Sequence, residues 1–466
     1  MKDLTQGNES KLILQFATPM LLGNVFQQLY NIVDSIIIGN FLGKEALAAV
    51  GAAFPFIFLL ISLIIGIATG STIVIAQYFG AKDLDKVRRA IDTLYIFLFF
   101  ASISVSIIGI AFSGPIFRLI SLPEEVIPLA VTYMNIYIGG IIFAFGFSGT
   151  SAILRGLGDS KTPLYFLIIA TIANIILDLL FVLVFGWGVA GVAIATVISQ
   201  AGAFITAILY LNRTHELVTL TTFRLRFDRE IFRQSIRIGL PSGIQQTLVS
   251  LGMLALFRIV NIFGTPAAAA YSIALRIDSF ASLPAMNFGA ALSTFVGQNL
   301  GANKPSRVRS GLHATLKLST IVSVVVSVLS IIFREPLMKV FTQDPEVIRI
   351  GADYLLIISG FYMVFSAMFA INGALRGAGD TLIPMFITLL SLWFVRIPVS
   401  WVLAHSMGIN GIWWGAPIAW FLGMSLSYLY YMTGRWRTKT VIRHPEPAGE
   451  IAIPAEDPNG LSRKEN

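Results

Sequence analysis

The chain has 466 residues, 56% of them hydrophobic and 12% charged, with 33 Lys and Arg against 25 Asp and Glu and a formal charge of +8. Apolar runs long enough to cross a bilayer recur along the whole length, which excludes a soluble globular protein and marks an all-α polytopic membrane protein. The positive charge lies in loops that flank the apolar runs, so it reads as a topology determinant and no nucleic-acid partner is expected. Cys is absent, which removes disulfides, thiolate metal sites and cysteine nucleophiles.

Twelve spans are expected, at about 12–38, 47–79, 91–112, 126–153, 164–185, 188–210, 231–262, 267–300, 311–333, 347–375, 381–404 and 409–432. The first is too long for a signal-peptide core and has no small-residue cleavage site, so it is read as a mature helix. It carries Pro19, Asn24, Gln27, Gln28, Asn31 and Asp34. A carboxylate deep in a span costs at least ~2.5–3.5 kcal/mol, so Asp34 should face a cavity or a partner rather than lipid. Pro19 has no amide hydrogen and clashes one turn back, which predicts a bend there.

The connections sort their cations unevenly, 24 on one side and 5 (Lys44, Arg118, Arg334, Lys339, Arg349) on the other. Both termini are therefore expected in the cytoplasm, with the protein in the cytoplasmic membrane. An internal repeat sets the architecture: AQYFGAKDLDKVRRA (76–90) returns as GQNLGANKPSRVRSG (297–311), and LRGLGDSKTP (154–163) as LRGAGDTLIP (375–384), both 221 residues apart. That shift covers six spans, so the halves enter the membrane in the same sense. The expected design is two six-helix lobes related by a pseudo-twofold axis along the membrane normal. Residues 1–210 form the first lobe, 211–230 a polar cytoplasmic linker, 231–432 the second lobe and 433–466 a disordered cytoplasmic tail.

The acids do not repeat. Asp34 falls opposite Ala255, Asp178 opposite Ser400 and Asn174 opposite Arg396. Asn174 and Asp178 are four apart and share a helix face, and Thr196 adds a hydroxyl from the sixth span. Two carboxylates, an amide oxygen and a hydroxyl make an all-oxygen set that suits a hard cation such as Na⁺, or a proton shared between carboxylates. Asn174, Asp178, Thr196 and Asp34 would be metal ligands only in the Na⁺ case. In the second lobe Arg258, Arg276, Asp278 and Arg396 read first as structural ion pairs. With Gln28, Asn31, Gln245 and Gln246 they are also the candidate lining of a substrate cavity. Gly186-Trp187-Gly188-Val189-Ala190-Gly191 fits a dinucleotide fingerprint but lies in the turn between two spans, where glycines permit a tight reversal. No phosphate-loop pattern occurs, so ATP is not an expected partner.

On these residues the chain resembles the multidrug and toxic compound extrusion (MATE) family, in its DinF-like and archaeal branch. The resemblance covers nearly all of residues 10–435. It rests on the twelve spans, the six-plus-six repeat, the Arg-Gly-x-Gly-Asp turns at 155–159 and 376–380, Pro19 fifteen residues before Asp34, and Asn174, Asp178 and Thr196 at the family's spacing. It implies a V-shaped, two-lobed exporter in which Asp34, Asn174, Asp178 and Thr196 bind the coupling ion. Other branches carry acids in the seventh and tenth spans; here only Asp353 lies near either place, outside that motif. The expectation is a non-enzymatic, monomeric antiporter without cofactor, exporting amphipathic, cationic compounds in exchange for H⁺, or alternatively Na⁺. The competing reading is a flippase for a lipid-linked precursor, which a basic cavity lined by Arg258, Arg276 and Arg396 would favour.

Overall fold

The computed structural model describes residues 2–120, 122–214 and 225–442, and these contain helices and no strand. The first half runs α1 (Glu9–Phe41), α2 (Lys44–Gly80), α3 (Leu84–Leu119), α4 (Ile127–Gly139), α5 (Ile141–Gly156), α6 (Lys161–Leu179) with a π-helical continuation over Leu180–Val184, and α7 (Gly188–Thr214). The second runs α8 (Arg229–Asn261), α9 (Thr265–Gly301), α10 (Pro305–Ile332), the short α11 (Arg334–Lys339), α12 (Pro345–Ser359), α13 (Tyr362–Gly377), α14 (Leu382–Leu389), a π-helical segment Leu390–Arg396, α15 (Ile397–Met407) and α16 (Ile409–Met432). The pairs α4–α5 and α12–α13 are each bent by 50° and each form one broken span. Counted so, there are twelve spans in two sets of six. Seven helices and the two bent pairs are apolar enough to be recognised by hydropathy alone. Among the other three, α1 and α9 are long but carry inward-facing amides and charged groups.

The repeat seen in the sequence is a repeat of backbone geometry. Gly158 and Gly379 both take positive φ, +80° and +90°, and at both turns an Asp amide returns to a Leu carbonyl, Asp159 to Leu154 at 2.8 Å and Asp380 to Leu375 at 3.0 Å. Lys82 and Asn303, also 221 apart, are the two non-glycine residues at positive φ among the described residues. In the decoy turn, Gly186 and Gly188 are at φ +66° and +57°, a reversal that side chains disfavour.

The lobes are joined at the face that carries both termini. Gln77 on α2 donates to the Gly377 carbonyl at 2.9 Å and accepts from the Val441 amide at 2.8 Å. Its repeat partner Gln298 on α9 donates to Gly156 at 3.0 Å and accepts from the Leu4 amide at 2.9 Å. Each glutamine thus bonds the opposite lobe and one terminal segment. The two helices touch closely there: a Cβ on Gly80 would lie 1.9 Å from the Gln298 carbonyl oxygen, and one on Gly301 1.9 Å from that of Gln77.

This face also corrects the expected tail. Residues 215–224 of the linker and 443–466 of the tail lie outside the described residues, but from 433 to 442 the chain is packed rather than loose. Trp436 is buried, stacks on Tyr431 at 5.1 Å and donates from its indole to the Tyr431 carbonyl at 2.9 Å. An aromatic buried in this way outweighs the polar composition around it.

Helix α1 belongs to both lobes. Its beginning (Leu12, Ile13, Phe16, Ala17) packs with Phe288, Leu292 and Phe295 of α9, whereas its end (Ile37, Ile38) packs in the first-lobe core with Ala46 and Ile57 of α2. Pro19 sits between the two parts, and Asn24 then bonds Asn287 of α9 at 3.0 Å.

Candidate functional site

Between α1, α2, α5, α6 and α7 lies a cavity of about 530 Å³, with Asn287 of α9 at its edge. Its wall is mostly apolar, with amides and hydroxyls from Asn24, Gln27, Tyr30, Asn174, Thr196 and Gln200; Arg155 alone among its lining residues is charged. Such a wall of apolar surface with a few placed polar groups suits an amphipathic organic molecule.

Behind this wall the sequence-predicted ion residues come together. Asp34, on the outer part of α1, and Asp178, near the end of α6, face each other with their carboxyls in hydrogen-bonding contact. Asp178 is fully buried, Asn174 and Thr196 nearly so, and Asp34 is half-buried. Asn174, one turn before Asp178, satisfies both neighbours in one amide orientation: its nitrogen donates to Asp178 Oδ2 at 2.9 Å and its oxygen accepts from the Thr196 amide at 3.3 Å. The Thr196 hydroxyl is bonded to the Val192 carbonyl at 3.1 Å and to the Tyr30 hydroxyl at 3.2 Å. One Oδ1 on each acid has no partner. Two carboxyls in direct contact need a proton between them, because like charges at that distance do not both persist. The chain Tyr30–Thr196–Asn174–Asp178 therefore connects the cavity wall to a paired carboxyl site one layer behind it.

Tyr30, Tyr133 and Tyr137 also surround this site and were not singled out from sequence. Tyr30 lies one helical turn before Asp34, on the same face, and Tyr133 and Tyr137 stack at 6.2 Å. Tyr133 has a repeat partner in Tyr354, 221 residues on, and that signal could have found it.

The candidate cavity residues fare differently. None of Gln28, Asn31, Gln245, Gln246, Arg258, Arg276, Asp278 and Arg396 lines the 530 Å³ cavity. On α1 the lining face is that of Asn24, Gln27 and Tyr30, and Gln28 and Asn31 point off it. Gln245 joins helices by donating to Thr388 on α14 at 2.8 Å, and Gln246, Arg258 and Arg276 are exposed. The expected ion pairs are not found either: among the described residues no ion pair includes Arg258, Arg276, Asp278 or Arg396. Asp278 instead accepts from the Tyr362 hydroxyl at 2.7 Å.

Comparison with known proteins agrees with this layout. A family model described as MatE matches residues 19–180 and again residues 241–402, once in each lobe. The Bacillus subtilis protein YoeA, named a probable multidrug resistance protein, is 35% identical over 437 residues, covering 92% of this chain and 94% of its own. A Thermotoga maritima protein named a probable multidrug resistance protein NorM is 29% identical, over 93% of this chain and 94% of its own. A Shewanella oneidensis relative named a FAD transporter is 25% identical, over 90% and 94%. A solved outward-facing structure of a multidrug resistance MATE family transporter shares the fold, with a TM-score of 0.88 over 94% of this chain and 99% of that one at 23% identity. The repeated match and the full-length relatives together place this chain in the MatE family of multi-pass membrane transporters, which are not enzymes.

Proposed function

We propose that this protein is a secondary active antiporter that exports amphipathic, cationic organic compounds across the cytoplasmic membrane in exchange for H⁺. The observation that carries this reading is the contact between the Asp34 and Asp178 carboxyls directly behind the wall of the 530 Å³ cavity. A proton on the pair lets the carboxyls touch; its loss leaves two like charges that drive the outer part of α1 away from α6. Because the beginning of α1 is seated on α9, motion about Pro19 reaches the second lobe. A cation in the cavity, its charge toward the acids and away from Arg155, favours the deprotonated state, so substrate and proton exclude one another.

The terminal face is read as cytoplasmic from its Lys and Arg content, so the glutamine-bonded state has its cytoplasmic side closed. Na⁺ coupling would require several oxygens converging on an ion with both acids ionised, and the direct carboxyl contact favours the proton. The flippase reading rested on Arg258, Arg276 and Arg396 making a basic cavity, and none of the three lines it. Everted vesicles loaded by an imposed pH gradient at negligible Na⁺ should accumulate ethidium. A strict Na⁺ requirement at fixed pH, lost in Thr196→Ala, would replace H⁺ by Na⁺ in this account.

A further inference from the structure

At the place where the first lobe keeps its acid pair, the second lobe holds a buried cluster of opposite character. Arg396, aligned with Asn174, is 8% exposed and ends the π-helical segment Leu390–Arg396. Its Nη1 reaches Met253 Sδ at 3.8 Å, a weak acceptor, and its Nε has no partner. Trp413, on α16, is 2% exposed and its Nε1 has no partner either. Tyr271 stacks on this indole at 5.3 Å and Tyr354 meets it edge-on at 5.0 Å. The same two tyrosines lie in the field of Arg396. The acid that acts on this cluster is Asp278, already bonded by Tyr362 and within the field of Arg396 without pairing to it. Buried donors therefore outnumber acceptors. A guanidinium and an indole N–H sealed from water without a partner are costly, and the chemistry they lack is a compact acceptor carrying negative charge.

We propose that the Arg396–Trp413 cluster is a binding site for a small inorganic anion of halide size. The hydroxyls of Tyr271 and Tyr354 are free to rotate toward it. Arg396, Trp413, Tyr271, Tyr354 and Tyr362 are all under a tenth exposed, so the enclosure admits an ion but not the headgroup of an amphipath with its tail attached. Asp278 opposes the anion electrostatically, and its protonation removes that opposition, so anion and proton enter the second lobe together. This site is separate from the first-lobe acid pair and does not depend on the exporter reading.

The test is a thermal-unfolding titration of the full-length protein in detergent, with sodium bromide replacing sodium gluconate at constant ionic strength. The melting temperature should rise with the logarithm of bromide concentration, more steeply at lower pH. Trp413→Phe keeps the aromatic packing and removes one N–H; it should weaken the bromide midpoint about tenfold or more, as for a lost hydrogen bond to a charge. Asp278→Asn should tighten the midpoint and remove its pH dependence, and Asp34→Asn should leave the bromide response intact. Equal melting in bromide and gluconate would mean that water alone serves these donors and would overturn the proposal. So would a bromide response unchanged in Trp413→Phe.

Discussion

The two lobes share a backbone plan and divide the chemistry. Turns, positive-φ residues and the Gln77 and Gln298 latches recur 221 residues apart with nearly the same hydrogen bonds. At the membrane interior the correspondence ends: Asn174 and Asp178 in one lobe face Arg396 and Ser400 in the other. The face that must open and close is kept symmetric, because both halves have to part together. The interior sites can specialise, since each is enclosed by its own six helices.

The largest expected effect separates the lobes by chemistry. Asp34→Asn and Asp178→Asn should each reduce gradient-driven ethidium export to the level of vesicles without the protein, while membrane insertion is retained on immunoblots. The double variant should be no worse than either single one, because the two act as a unit. Full export by Asp34→Asn would break the comparison. Next in size is the symmetric face. Gly80→Ala or Gly301→Ala places a Cβ 1.9 Å from a carbonyl oxygen of the opposite lobe, which should force the lobes apart and lower the melting temperature.

Gln77→Ala or Gln298→Ala removes two hydrogen bonds, worth about 1–3 kcal/mol together. It should shift the population toward a state open at the terminal face by about tenfold. Spin labels on Arg88→Cys and Arg309→Cys, both exposed in a chain without native cysteine, would report this as a longer distance. The two glutamine variants should behave alike, and a large difference between them would refute the symmetric latch. Smallest of all, Thr196→Ala should slow export without abolishing it, and Ser400→Ala, which loses one bond to the Ile412 carbonyl at 2.9 Å, should leave transport rates near wild type.

Much of this was legible in the sequence for identifiable reasons. Spans and lobes follow from apolar runs and the shifted repeat, and Asp34, Asn174, Asp178 and Thr196 stand out because polar groups deep in spans are costly. The cavity face was harder to read. Choosing Gln27 and Tyr30 over Gln28 and Asn31 needs the rotation of α1, which packing against α6 and α9 decides and hydropathy does not. Arg396 and Asp278 look like an ion pair when only their burial is considered. Tyr362 takes the carboxylate instead, a contact across 84 residues that no local pattern encodes. Trp436 was missed because the tail's composition is polar and a single buried aromatic anchors its first ten residues.

The central claim is that substrate and proton compete through the Asp34–Asp178 pair. Its most direct test is proton release by the purified protein in weakly buffered detergent solution, followed with a pH dye as ethidium is added at negligible Na⁺. The account predicts release that saturates with ethidium binding in the wild type and in Ser400→Ala, and none in Asp34→Asn or Asp178→Asn. Ethidium binding without proton release in the wild type, or release of the same size in Asp34→Asn, would contradict it.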